Sequence, residues 1–335
     1  MREPPVVAAE DLETSFRIGG TWHPALRGVS FTIGRNETLA LVGESGCGKS
    51  LTALSIMGLL AENCRITRGR ILFQGQDLAA LDDAAMERLR GDRLSMIFQE
   101  PMTSLNPVLT IGRQVAEALR HHRGLSAVEA RRTALDLLRN VGIPMPEQRF
   151  ADYPHRFSGG MRQRVMIAMA IACQPLLLIA DEPTTALDVT IQSQVLILLA
   201  ELKAAYGMSM LFITHNLGVV AAIADRVAVM YGGQIVETAA TGDLFERPTH
   251  PYTEALLRSV PRADRDTELM TIAGQVPPIT RMPAGCAFAP RCSLAMDICR
   301  RETPSLVTMD NAPSHAVRCW ARQSPRGGHP DIAHD

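Results

Sequence analysis

The sequence predicts an α/β protein: a core on a mainly parallel sheet, an inserted helical segment, and a loop-rich C-terminal appendage. Three observations predict this. Residues 1 to about 245 alternate short β-rich apolar runs with longer helical patterns. Residues 111–171 break the alternation and are almost wholly helical in pattern. After about Glu246 the periodicity fades and prolines accumulate, at Pro248, Pro251, Pro261, Pro277, Pro278, Pro283 and Pro290. The expected division is therefore a core over 1–245 with a helical subdomain at about 110–172, an appendage over 246–323, and a disordered tail over 324–335.

Residues 38–42, 94–98, 176–180 and 210–214 are short apolar runs that each end in a polar or glycine-bearing loop, and they predict buried strands. Residues 49–60 and 191–205 predict helices, and Ser126 with Glu129 forms a candidate capping box. The 335 residues carry 46% apolar and 21% charged side chains and a net charge of -1. That composition is ordinary for a globular protein, and no basic field points to nucleic acid. The apolar runs fall far short of the roughly 18 residues a membrane span needs. The start, MREPPVVAAEDLE, lacks the charged-then-apolar layout of a secretion signal. These features predict a cytosolic protein.

The run TLALV leads into GESGCGKS at residues 43–50 and then into a helical pattern. This is a phosphate cradle in its strand–loop–helix setting. Gly43, Gly46 and Gly48 let backbone N–H groups curl around phosphate oxygens, and the following helix adds its positive end. Lys49 supplies the counter-charge and Ser50 a hydroxyl for Mg²⁺. Gly43, Glu44, Ser45, Gly46, Cys47, Gly48, Lys49, Ser50 and Leu51 are thus the candidate nucleotide contacts. A chance glycine-rich turn is the bland alternative, and the strand–loop–helix context argues against it.

Asp181 and Glu182 end the run LLLIA, where a carboxylate beside a phosphate loop can hold Mg²⁺ and its neighbour can polarise water. Gln99 follows LSMIF and can reach Mg²⁺ or water at the entry to the helical segment. His215 ends MLFIT, and Asp188 lies six residues after Glu182. FSGGMRQR places Ser158, Gly159 and Gly160 at a second helix start, about 115 residues after the first cradle. Each feature alone could be a turn or a strand cap. Two cradles in one chain make sense when two subunits pack head to tail, each cradle facing the other subunit's nucleotide.

In this combination and order the motifs resemble an ABC ATPase over roughly residues 5–240. The stretches IFQEPMTSLNP, YPHRFSGGMRQRV, HPYTEALLRSVP and AGCAFAPRC resemble the dipeptide, oligopeptide and nickel importer subfamily over nearly the whole chain. The signature has Phe157 and Met161 where many ABC proteins have Leu and Gln, a variation common in the subfamily. The resemblance implies a P-loop ATPase acting on ATP and Mg²⁺ at the cytoplasmic face of the inner membrane. It implies a second ATPase subunit, often non-identical, two membrane-spanning permease subunits and an extracytoplasmic binding protein. It assigns Lys49, Ser50, Gln99, Asp181, Glu182 and His215 to this chain's nucleotide, and Ser158 and Gly160 to the partner's. The resemblance also implies that adenine stacks on an aromatic residue near the N-terminus. Phe16 and Trp22 are both candidates, and Phe16 is favoured because it ends a strand-like run.

Cys286, Cys292, Cys299 and Cys319 are separated by five, six and nineteen residues, without the close pairs typical of zinc sites. Four thiolates in a loop-rich cytosolic segment can hold a four-iron four-sulfur cluster, and the subfamily's terminal region carries this cysteine pattern. Zinc and uncoordinated buried thiols are the alternatives. The leading expectation is an importer subunit that takes up peptides. Nickel or another small solute, a soluble ABC ATPase and a catalytically dead regulatory module are the competing readings. One ATPase unit without a basic segment opposes the second of these. The intact Lys49, Glu182 and His215 oppose the last.

Overall fold

The computed structural model describes residues 3–99, 104–185, 187–259, 272–310 and 312–323. Among these residues the main sheet has eight strands, in the order β11 (Val307–Met309), β12 (Ala312–Val317), β10 (Gln234–Ala240), β9 (Arg226–Tyr231), β3 (Thr38–Val42), β8 (Ser209–Thr214), β7 (Leu177–Asp181) and β6 (Leu94–Ile97). The parallel centre comprises β6, β7, β8, β3 and β9. Each predicted strand lies within a residue or two of its expected bounds. Phe98 falls just outside β6 and is half exposed.

The apolar runs are continuous because this sheet is covered on both faces. Successive side chains alternate between two cores. Leu39, Leu41, Leu177, Ile179, Leu211 and Ile213 join the core beneath α1 (Lys49–Met57). Leu178, Ala180, Met210 and Phe212 join the core under the inserted helices. Each fully buried Leu or Ile contributes about 2 kcal/mol of hydrophobic stabilisation. The helical segment forms as expected, with α2 (Ile111–Arg123), α3 (Ala127–Asn140) and α4 (Gly159–Ile171). Ser126 and Glu129 make the reciprocal capping box that opens α3. The helix expected over 191–205 runs as α5 (Val189–Tyr206), with the Asp188 side chain accepting from Ile191 N–H.

Two features escape the periodicity argument. First, β1 (Val7–Ile18), β2 (Thr21–Ile33), β4 (Cys64–Phe73) and β5 (Gln76–Asp77) form a separate antiparallel sheet in the order β2-β1-β4-β5. Register shifts along β1 break its alternation and blur the strand pattern. Second, the loop-rich segment extends the main sheet. β12 (Ala312–Val317) pairs antiparallel with β10 (Gln234–Ala240), and β11 (Val307–Met309) adds the edge.

The same segment shares a third core, in which Tyr231, Tyr252, Leu257, Ala287 and Phe288 pack on Val42 and Val229. The fully buried Glu237 ties it down. Its carboxylate accepts from Thr249 N–H (2.7 Å) and His250 N–H (2.9 Å), and His315 Nε2 lies 2.6 Å away. Among the described residues no helix is long and apolar enough to cross a membrane. The tail expected to be disordered from Ser324 lies outside the described residues.

Candidate functional site

The phosphate loop leaves β3 and enters α1, whose N-terminus Gly48 caps with φ 111°. A side chain at Gly43 would collide with the Met230 carbonyl oxygen at 2.3 Å, and one at Gly48 with Leu26 at 2.7 Å. Glycine is therefore required where the loop presses on the sheet. Lys49 is buried, and its Nζ donates to the carbonyl oxygens of Gly43 (2.8 Å) and Glu44 (3.1 Å). The ammonium thus spans the mouth of the cradle. Ser45 and Gly46 are exposed, whereas Cys47 is buried and its carbonyl accepts from Gly233 N–H. Leu51 packs its side chain against the core beneath the antiparallel sheet, so that side chain serves helix packing.

The register β3–β8–β7 brings the second half of the site to the same end of the sheet. Asp181 ends β7 and is buried, and its Oδ1 has no hydrogen-bond partner among the described residues. Burial pushes its carboxyl above the usual range, with Ser50 and Lys49 acting in the opposite sense. A buried, orphaned carboxylate oxygen beside the Ser50 hydroxyl suits a magnesium ion, so the donor set fits.

Glu182 gathers two of the predicted residues, Gln99 and His215, and one unpredicted residue, Thr185, around one carboxylate. Gln99 Nε2 donates to its Oε2 (3.2 Å), Thr185 Oγ1 donates to the same oxygen (2.9 Å), and His215 Nδ1 lies 3.1 Å from Oε1. Partial burial would raise its pKa, but hydrogen bonds from His215 and Thr185 bring it below the usual carboxylate value. Glu182 is held at φ 45°, a left-handed conformation costly for a side-chain-bearing residue. Its N–H donates to Ile213 O on β8 (2.9 Å), which fixes that conformation. Strain, charge and convergent donors coincide at this residue.

Ser158 and Gly160 stand apart. Ser158 is exposed and caps α4, accepting from Met161 N–H. Among the described contacts none joins either residue to the phosphate loop. At the other end of β1, Phe16 is half-buried opposite His23 and Cys64. Trp22 is already covered by the Arg65 guanidinium, 4.1 Å above its ring.

Cys286, Cys292, Cys299 and Cys319 all line one cavity, together with His250, Phe288 and Trp320. Among the described residues no three His, Cys, Asp or Glu are gathered as a single metal ion requires. The thiols face a shared space and form no disulfide.

Thr185, Tyr231, Tyr252, Glu237, His315 and Arg291 also take part and are not apparent from the sequence. Thr185 sits in DEPTT beside the acidic pair, a proximity that could have flagged it. The others act across long sequence separations, for which a single sequence carries no local signal.

The chain matches the family described as ABC transporter over residues 26–185 and the family described as Oligopeptide/dipeptide transporter, C-terminal region, over residues 236–299. It is 50% identical over 332 residues to the dipeptide transport ATP-binding protein DppD of Bacillus subtilis, covering 98% of each chain. It is 54% identical over 299 residues to the oligopeptide transport ATP-binding protein AppD of the same organism, covering 89% of this chain and 90% of that one. The dimeric post-hydrolysis structure of the ATP-binding cassette MJ0796, bound to ADP and Pi, superposes with a TM-score of 0.63 at 28% identity. It covers 70% of this chain and 98% of that one.

Proposed function

Because the chain belongs to the ABC transporter family as one of its ATP-hydrolysing subunits, we propose that it drives the uptake of di- or oligopeptides across the cytoplasmic membrane. The observation that carries the catalytic part is the convergence of Gln99, Thr185 and His215 on the Glu182 carboxylate beside Asp181. Glu182, kept ionised by its donors, accepts a proton from the attacking water. His215 holds Glu182 in orientation and contacts the γ-phosphate. Lys49 is the counter-charge for the β- and γ-phosphates. Ser50, Gln99 and Asp181 hold magnesium, which neutralises phosphate charge when bound. Phe16, whose ring no described cation covers, stacks on adenine.

Ser158, exposed at the cap of α4, and the half-buried Gly160 in its first turn serve the nucleotide of a second ATPase subunit, a non-identical paralogue. The pair sits at the cytoplasmic face of the inner membrane beneath two permease subunits, and an extracytoplasmic binding protein delivers the substrate. The docking face is the helical subdomain at about 110–172 with the loop before it. Gln114 braces that loop through hydrogen bonds to Asn106 and Leu109, and Val108 stands exposed on it. Gln99, at the end of β6, is the hinge between nucleotide and subdomain.

The four thiols on one cavity support a four-iron four-sulfur cluster that orders the appendage. Cys286, Cys292, Cys299 and Cys319 would be its ligands. The domain division expected from the sequence stands as part of this proposal: a core over 1–245 and an appendage over 246–323.

Reconstitution with the permease and binding-protein subunits in proteoliposomes tests the substrate. ATP-dependent accumulation of labelled dipeptides is the expected result. Accumulation of nickel, with no peptide uptake, overturns the peptide assignment and leaves the ATPase assignment intact.

A further inference from the structure

Glu44 places a negative charge inside a loop whose ligand is an anion. Every polar group of Glu44 is engaged. Its carbonyl oxygen accepts from Lys49 Nζ (3.1 Å) and its N–H donates to Tyr252 Oη (2.9 Å). Its carboxylate takes two parallel bonds from the Arg291 guanidinium, Nη1 to Oε2 at 2.7 Å and Nη2 to Oε1 at 3.0 Å. Such a fork-to-fork pair fixes direction as well as charge.

Arg291 comes from the opposite end of the chain, within the run that carries Cys286 and Cys292. Its side chain is only 6% exposed. The Ala273 and Ile272 carbonyl oxygens accept from Nε (2.8 Å) and Nη2 (3.1 Å), and Tyr231 Oη lies 3.3 Å from Nη1. The guanidinium carbon lies 5.7 Å from the Tyr231 ring centre and 6.0 Å from that of Phe288. These contacts leave the guanidinium one aim, the Glu44 carboxylate.

We propose that Arg291 is a positioning residue of the nucleotide site: it cancels the charge of Glu44 and holds that carboxylate off the path of the phosphates. Through it the C-terminal appendage sets nucleotide affinity without touching the nucleotide. The inference rests on the reading of residues 43–50 as the phosphate cradle.

The test is a charge-removal cycle on the full chain, with Mg-ATP binding measured by competition against a fluorescent ATP analogue. Arg291→Met leaves Glu44 uncompensated beside the phosphates and is expected to weaken binding about tenfold. Adding Glu44→Gln removes the repulsion and is expected to restore binding to within about threefold of wild type. A purely structural role for Arg291 would leave the double variant as weak as Arg291→Met, and that result overturns the proposal. So does unchanged binding by Arg291→Met. Glu44→Gln alone keeps the contacts of Arg291 to Tyr231, Ile272 and Ala273, so it remains informative where Arg291→Met does not fold. With Arg291 left as a free cation, it is expected to bind Mg-ATP about threefold more tightly, and weaker binding counts against the proposal. Lys49→Ala separates the two readings: unimpaired binding by that variant rejects the cradle itself.

Discussion

The phosphate loop and the cysteine-bearing lobe are both short irregular segments, and both are held rigidly, but by different means. The loop is closed in part by its own residues: Lys49 bonds the carbonyls of Gly43 and Glu44, six and five residues away. The lobe is held from afar. Glu237 reaches His315 across 78 positions, and Glu44 reaches Arg291 across 247. A locally closed loop advertises its chemistry in consecutive residues. A segment closed by distant partners shows only its composition.

The sharpest break in this contrast lies in the catalytic half. Glu182→Gln should keep Mg-ATP binding but lower turnover of the assembled transporter at least about a thousandfold. Phosphate release and nucleotide binding measured on the same preparation check this. Near-normal hydrolysis would remove Glu182 as the base.

Glu237→Ala should strike the lobe nearly as hard, in stability. It strips partners from the N–H groups of the half-buried Thr249 and the buried His250 and from His315. A loss of about 3 kcal/mol is expected from leaving buried groups unpaired. Denaturant titration measures it. A loss below about 1 kcal/mol would show that the lobe is held by its apolar contacts alone.

Cys319→Ser should cost iron rather than catalysis. Anaerobically purified wild-type protein should be brown with about four irons per chain. The serine variant should be pale and its lobe more sensitive to protease. Stoichiometric zinc without iron would replace the cluster by a zinc site, and absence of any metal would reject both.

The smallest effect is expected at Gln114. Gln114→Ala removes the bonds that brace Asn106 and Leu109 and should cost about 1 kcal/mol. A cysteine at Val108 should crosslink to a permease subunit, less efficiently in the Gln114→Ala background. Crosslinking only to the other ATPase subunit would move the docking face elsewhere.

The parallel sheet was legible because both of its faces are buried, so β3, β7 and β8 appear as unbroken apolar runs. The phosphate loop and the acidic pair were legible because their chemistry demands fixed residue types at fixed spacing. The antiparallel sheet was hidden by the register shifts of β1. The edge strands β11 and β12 were hidden because both are short and half-exposed, with no apolar run to betray them. Gln99, Glu182 and His215 were each visible as strand-end polar residues, but their meeting on one carboxylate needed the register of β6, β7 and β8.

The pairing of β12 with β10 has a consequence for synthesis. A chain emerges from the ribosome N-terminus first, so the phosphate loop and Glu182 are made long before β12 exists. Until then β10 presents an open row of backbone donors and acceptors next to β9, the kind of edge that recruits other chains. A truncated chain or a premature stop would leave that edge permanently bare, even with every catalytic residue present. Pairing with β12 at Glu237 and Thr238 therefore closes a stretch of edge that a truncated chain would leave open.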